Sequence, residues 1–421
     1  MVGRRPCRCR GKRPVSWKNA CDLWWRLGRK AVMSEVCGKY GISRDTGYRL
    51  LARYETEGVD GLKDRSRAPH HHGRSRAAEL VDDVLALREH YGWGAKKLRR
   101  KLGELRPDIE VPAASTIGDW LAKRELTAKR RRRARCTPSS RPFAAADQPN
   151  AVWAADFKGW FRTGDGSRCD PLTLSDVMSR YVLRCQDVAR ADHRHVWPVF
   201  DEAFCEFGLP WTMRSDNGPP FASTAAGGLS ALSLWWIKLG IQLERIEPGK
   251  PQQNGRHERM HRTLKHDTAQ PPAASLAEQQ VRFDRFRRVF NHERPHEALD
   301  FQYPAALYRP SPRPYPCRLR EPDYGEGCTV RRVRSNGEIK WRGDTIFVSQ
   351  VLVGEPVGIE RTSSGDWRVR YAEVELGFID GKRRRLNRWP LSRTLVGGRV
   401  DNAPGALPTR PPPQRQRPEL T

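Results

Sequence analysis

Residues 246–265, IEPGKPQQNGRHERMHRTLK, constrain this chain more than any other stretch. Pro248, Gly249 and Pro251 interrupt regular structure and mark a loop. Residues 256–265 then run without a breaker, as a helix would. On that helix Glu258, Arg262 and Lys265 stand at i, i+4 and i+7 and share a face, while Met260 and Leu264 turn inward from another. One carboxylate and two cations aimed at a common point suit a metal-bound phosphate backbone. A single carboxylate makes no site, so the rest of the chain must supply partners.

The charge balance narrows what the partner can be. Lys and Arg number 77 against 49 acids, a formal net charge of +28 over 421 residues. That excess points to a polyanion, with nucleic acid as the default; a ribosomal-type or membrane-surface protein is the rival. No run approaches the roughly 18 apolar residues of a membrane span, so no membrane partner is expected. The basic opening residues lack the apolar core of a secretory signal. Ten cysteines form neither a CxxC pair nor a zinc spacing with histidine, and read as reduced thiols of a cytoplasmic protein.

Before the central stretch lie two helical modules. Residues 1–14 read as a disordered basic leader. Residues 15–62 fit a helix-turn-helix: Ser34 as cap of a short helix, Gly41 as breaker, and Ser43 as cap of a second helix through Tyr48, Leu51 and Tyr54. The second helix exposes Arg44, Thr46 and Arg49 as candidate DNA contacts; a plain three-helix bundle is the alternative. After a 63–77 linker, residues 78–127 suggest a second helix-turn-helix-like domain. There Leu80, Val84, Leu98 and Leu102 face inward, Gly92 and Gly94 make a break, and Ser115 caps a last helix. The 128–146 linker carries Arg130, Arg131, Arg132 and Arg133, a phosphate-seeking run.

From Val152 the composition favours strands. VWAADFKGWF, PLTLSDVMS and YVLRCQDV read as three of them, the last two joined tightly at Arg180. A helix over 195–207 stopped by Gly208, a strand over 211–214, a helix over 229–239 and a strand over 241–246 complete a mixed α/β layout. Asp156 sits within an otherwise apolar strand and needs a reason to be there. Asp216 follows a strand at the carboxyl edge, where α/β sheets build sites. If the first and fourth strands are neighbours and the last helix covers them, Asp156, Asp216 and Glu258 converge. Hard oxygen ligands suit two Mg²⁺ or Mn²⁺ ions, able to activate a water or 3′-hydroxyl for in-line displacement at phosphorus. Asp170, Asp176, Asp187 and Asp192 are rival acids, and each of the three could instead serve a turn or an ion pair.

WAADFKG, SDNGPPF and PGKPQQNGRHERMHRTLK resemble the three catalytic blocks of the retroviral-integrase-like DDE transposases, most closely the bacterial insertion-sequence enzymes of the four-eight-one and related groups. The resemblance covers roughly residues 147–304. It implies a ribonuclease-H-like core over 147–307, a metal-binding triad at Asp156, Asp216 and Glu258, and a transposon-end contact at Lys265. Asn291, Arg294, Pro295 and His296 match a motif of the closing helix and turn in those enzymes. The 41 residues between Asp216 and Glu258 exceed the family's usual spacing, and FASTAAGGLSAL is expected to loop out the surplus. No His-His-Cys-Cys spacing occurs, so helix-turn-helix modules replace a zinc-binding domain.

A proline-rich linker over 308–324 leads to residues 325–390, which read as a small SH3-like β-barrel with hairpin turns at Asn336-Gly337 and Ser364-Gly365. Residues 391–421 read as a disordered tail. The resemblance implies a DNA transposase that binds element ends, cleaves the 3′ strand and joins it to target DNA as a homo-oligomer, nucleoid-associated in bacterial cytoplasm. The alternatives are a helix-turn-helix regulator derived from an inactive transposase, and a ribonuclease H.

Overall fold

The computed structural model describes residues 32–62, 80–127, 146–247, 253, 255–362, 365–380 and 385–388. Expectations placed on residues 1–31, on the 63–79 linker, on Arg130, Arg131, Arg132 and Arg133, and on the tail after 388 lie outside the described residues. The chain divides into two compact units between Glu79 and Leu80.

In the first unit, α1 (Met33–Tyr40) and α2 (Arg44–Glu57) are joined through Gly41, whose φ of 65° is the left-handed conformation glycine tolerates. Ser43 caps α2 by accepting the Thr46 amide at 3.2 Å. Ser34 does not cap α1: the helix begins at Met33, with Val32 at the cap position and no side-chain bond. Burial of Met33 rewards the earlier start. The helices cross at Gly47, where a Cβ would stand 2.5 Å from Cys37 Sγ and 2.9 Å from Met33 Sδ. Gly47→Ala is therefore expected to cost about 1–3 kcal/mol by overpacking. The check is the melting temperature of the full chain's first transition; an unchanged value would show that this crossing is not tight.

The second unit holds the α/β core. Its sheet has the order β5-β4-β1-β6-β7. β1 (Val152–Phe157), β4 (Pro171–Asp176) and β5 (Val182–Asp187) are antiparallel neighbours, and β6 (Thr212–Ser215) and β7 (Gln242–Arg245) run parallel to β1. A small hairpin of β2 (Phe161–Arg162) and β3 (Arg168–Cys169) lies beside them. The first and fourth long strands are thus neighbours, as expected. Period-two alternation splits β1 between two faces. Trp153 and Ala155 enter a core with Phe200 and Phe204 of α6 (His193–Phe207) and Trp236 of α7 (Ala231–Lys238). The opposite face is covered by α8 (Gly255–Thr268) and α9 (Leu276–His292), whose Met260, Leu264, Phe283 and Phe290 pack on Cys169, Val182 and Cys185. This is a ribonuclease-H-like core with a mixed sheet.

The three helices α3 (Val81–Tyr91), α4 (Ala95–Leu105) and α5 (Ala114–Lys123) share a core of Leu80, Val84, Trp93, Leu98, Leu102, Ile117 and Leu121. Ser115 lies inside α5 rather than at its cap, which is Ala113. The module is fastened to the chain after α9: Tyr91 donates to Glu293 at 2.8 Å, Lys96 pairs with Glu297, and Tyr303 donates to Glu104. Burial, then Arg294, pushes the Lys97 ammonium down to about 8, with Asp267 and Glu297 opposing. A lysine depressed in the folded state makes the chain bind fewer protons than when unfolded, between pH 8 and its unfolded pKa of about 10.4. Stability carried by Lys97 therefore rises with pH across that window. Lys97→Met is expected to flatten the stability–pH curve there, measured by denaturant titration against wild type; an identical curve would contradict the burial.

After α10 (Pro304–Leu307), seven strands follow: β8 (Thr329–Arg332), β9 (Glu338–Trp341), β10 (Asp344–Phe347), β11 (Pro356–Arg361), β12 (Trp367–Tyr371), β13 (Val374–Asp380) and β14 (Arg385–Arg388). They form an antiparallel sheet in the order β14-β13-β12-β11-β8 and a separate β9–β10 hairpin. The Asn336-Gly337 turn joins no ladder, because β8 pairs with β11 while β9 turns at Arg342-Gly343 to pair with β10. Gly365, with φ 89°, does sit in the β11–β12 turn. Residues 221–230 of FASTAAGGLSAL form a loop as expected, broken only by a 3₁₀ turn at Ala226–Gly228, but the loop is packed rather than extruded: Phe221, Ala222 and residues 226–230 are buried. Ala226, Leu229 and Leu234 share an apolar core with Val374 and Leu376 of the C-terminal sheet. Among the described residues, no helix is long and apolar enough to cross a membrane. The cysteines at 37, 169, 185, 205, 317 and 328 are free thiols.

Candidate metal centre

Register places two of the three acids. β1 and β6 pair in parallel with Ala154 opposite Arg214; two residues further along each chain stand Asp156 and Asp216. Both are partly exposed at the carboxyl ends of neighbouring strands. The Gly218 amide donates to Asp216 Oδ1 at 3.2 Å. Burial pushes the Asp216 carboxyl up, opposed by that amide.

The helix above them is α8, with the division of faces its spacing predicts. Met260 and Leu264 are buried, and Glu258, Arg262 and Lys265 are exposed. The buried face also contains His257 and His261, which the sequence analysis did not single out. Their positions complete the 257, 260, 261, 264 pattern of an inward stripe, which was the available signal. Both rings close on Thr173 of β4, each Nε2 lying 2.7 Å from its hydroxyl oxygen. The Thr173 hydroxyl also lies 3.0 Å from the Asp156 carbonyl; when its proton goes there, its oxygen accepts from both imidazoles. Burial pushes His257 down to about 3, and burial followed by His257 and Lys158 pushes His261 down as well. Two neutral rings thereby pin α8 to the strand that carries Asp156. His261 Nδ1 then lies 3.9 Å from Asp156 Oδ2, a contact of lone pairs rather than an ion pair.

The structure thus brings Asp156 and Asp216 to adjacent strand ends and holds Glu258 on the helix above, its side chain in solvent. Carboxylate oxygens fit Mg²⁺ or Mn²⁺. A second donor set, Asp156, His257 and His261, has ligand atoms within 4.8 Å of one another. Its imidazole Nε2 atoms already serve Thr173, which suits a clamp better than a metal site. Lys158, one residue past β1, is pushed down by burial and then by Lys265, while Asp156 pulls it up. Two cations therefore flank the acids, and Lys158 was also missed.

The rival acids have structural duties. Asp176, fully buried, accepts the Asn150 amide at 2.8 Å and the Ser179 amide and hydroxyl at 2.7 and 2.6 Å. Asp187 accepts the Asp170 amide at 2.7 Å, Asp170 pairs with Arg168 at 3.2 Å, and Asp192 caps α6 at the His195 amide. Of the proposed DNA contacts, Arg44 is exposed and Arg49 is exposed in an ion pair with Asp45 at 2.7 Å. The half-buried Thr46 hydroxyl lies 2.9 Å from Ser43 Oγ.

Two features define the class: a ribonuclease-H-like core with acids at adjacent strand ends, and helical modules before it. Residues 146–251 and 239–304 match integrase core domain families, and residues 46–121 match a homeodomain-like domain family. An uncharacterized protein of insertion element IS476 from Xanthomonas euvesicatoria is 30% identical over 206 residues, 48% of this chain and 56% of that protein. One of insertion element IS407 from Burkholderia multivorans is 28% identical over 182 residues, 42% of this chain and 62% of that protein. The chain thus spans under two thirds of either relative's length. The HTLV-2 integrase catalytic core domain in complex with magnesium aligns with 38% of this chain and 98% of its own, at 15% identity and a TM-score of 0.30. Together the matches give this chain an integrase-core region preceded by a homeodomain-like one and relate it to insertion-element proteins, without assigning the four-eight-one or any other group.

Proposed function

We propose that this chain is a DNA transposase that binds the ends of an insertion sequence, cleaves the 3′ strand and transfers its 3′-hydroxyl to target DNA, as a homo-oligomer. The observation that carries this reading is the β1–β6 register, which sets Asp156 and Asp216 side by side beneath the helix bearing Glu258. Two Mg²⁺ or Mn²⁺ ions, when bound, would supply the charge that activates a water or hydroxyl and stabilises the leaving oxygen. Asp156, Asp216 and Glu258 hold them; the Thr173 clamp fixes the helix; Lys158, Arg262 and Lys265 draw in the phosphate backbone. Residues 15–62, with Arg44, Thr46 and Arg49, and residues 78–127 read the element ends, aided by Arg130, Arg131, Arg132 and Arg133. The C-terminal sheet, in this reading an SH3-like barrel, supports the core from behind α7. A DNA-binding regulator is not favoured, since it leaves the acids idle.

The test mixes the full chain, Mg²⁺ and DNA carrying the element's terminal repeats. Strand joining that disappears with EDTA is expected. DNA binding with no nicking, with or without metal, would overturn the reading.

A further inference from the structure

Next to the face that bears Glu258 and Lys265, α8 lines a cavity of about 1070 Å³ with Arg256, Arg259, Arg262 and Thr263, over Ala154 of β1 and Arg214 of β6. Lys97 enters it from α4, Arg180 from the β4–β5 turn, and Arg294 and His296 from the chain after α9. Acids in the lining are committed elsewhere: Asp176 to Asn150 and Ser179, Glu297 to Lys96. Arg180 Nε and His296 Nε2 are buried without a hydrogen-bond partner. Arg180 also holds φ 63°, a left-handed conformation that is unfavourable for a non-glycine residue. Burial, then Arg256 and Arg259, depresses the Arg180 guanidinium, and burial, then Arg214 and Arg259, depresses Arg256. Like charges are thus held together where they oppose folding, and an incoming polyanion would reverse the sign of that interaction.

We propose that this cavity, which none of the three acids lines, grips the phosphodiester backbone of one DNA strand in continuation of the acid site, Arg262 being common to both. Guanidiniums converge on it from several elements, and its volume is at the upper end of ligand cavities, room for more than one phosphate. A strand with consecutive phosphates satisfies both facts, whereas a single free anion leaves most of the cations unanswered. The inference rests on reading the chain as a DNA-processing enzyme, and it gives Arg294 and His296 of the NHERPH motif a physical role.

The test uses the full chain with Arg180→Gln and Arg259→Gln combined, bound to a terminal-repeat duplex in EDTA across a salt series. The logarithm of affinity against the logarithm of salt concentration should lose about two units of slope. The melting temperature of the free variant should equal or exceed that of wild type, because repulsion is relieved. A wild-type slope in a variant that melts cooperatively would overturn the proposal. Arg180→Lys with Arg259→Lys keeps both charges and should restore the slope; failure to do so would also overturn it. Metal-dependent cleavage by the wild type is scored separately. A lost slope without cleavage sinks the transposase reading and leaves the cavity standing, and cleavage with an unchanged slope does the reverse.

Discussion

Asp216→Asn is expected to reduce Mg²⁺-dependent strand cleavage by roughly 10³-fold or more while leaving DNA binding near wild type. A metal ligand at phosphorus contributes several kcal/mol to the transition state, and each 1.36 kcal/mol is a factor of ten. Asparagine keeps an oxygen for the Gly218 amide, so the turn survives. Burial disfavours the charged carboxylate, so the apo variant should melt no lower than wild type. Wild type should gain melting temperature on addition of Mg²⁺ or Mn²⁺, because ligands that bind only the folded state stabilise it; the variant should not. Cleavage retained within tenfold would remove Asp216 from the centre.

Thr173→Val has the second large expected effect, at a residue that touches no reacting atom. Thr173 is fully buried, and its hydroxyl oxygen is the acceptor for both His257 and His261. Valine matches its shape and leaves two buried N–H groups unpaired, at about 1–3 kcal/mol each. The melting midpoint should fall accordingly. Cleavage should drop by about 10–100-fold, as when a supporting partner of a metal ligand is removed. Thr173→Ser should restore both. A valine variant with wild-type stability would show that the helix is held by Met260 and Leu264 alone.

The centre was legible where chemistry sits in local pattern. The helical spacing of Glu258, Arg262 and Lys265, and acids at strand positions that need a reason, required no knowledge of the fold. Of the strand order, the adjacency of β1 and β6 and the tight β4–β5 connection at Arg180 were expected. What escaped depends on partners far along the chain. FASTAAGGLSAL reads as a loop because small residues bury little alone; its buried side faces Val374 and Leu376, some 150 residues away. The Asn336-Gly337 turn chemistry was present, but β8 had a better partner in β11. His257 and His261 were not singled out, because the partner that takes both rings, Thr173, lies more than 80 residues earlier in the chain. Ser34 and Ser115 failed as caps because a buried or helix-favouring neighbour starts each helix two residues earlier than such a cap would.

Crystals of the full chain grown with Mn²⁺ and recorded at the manganese absorption edge test the centre most directly. The account predicts anomalous density bound by the carboxylates of Asp156 and Asp216, with Glu258 completing the site. Density confined to Asp156, His257 and His261, or none at the ends of β1 and β6, would contradict it.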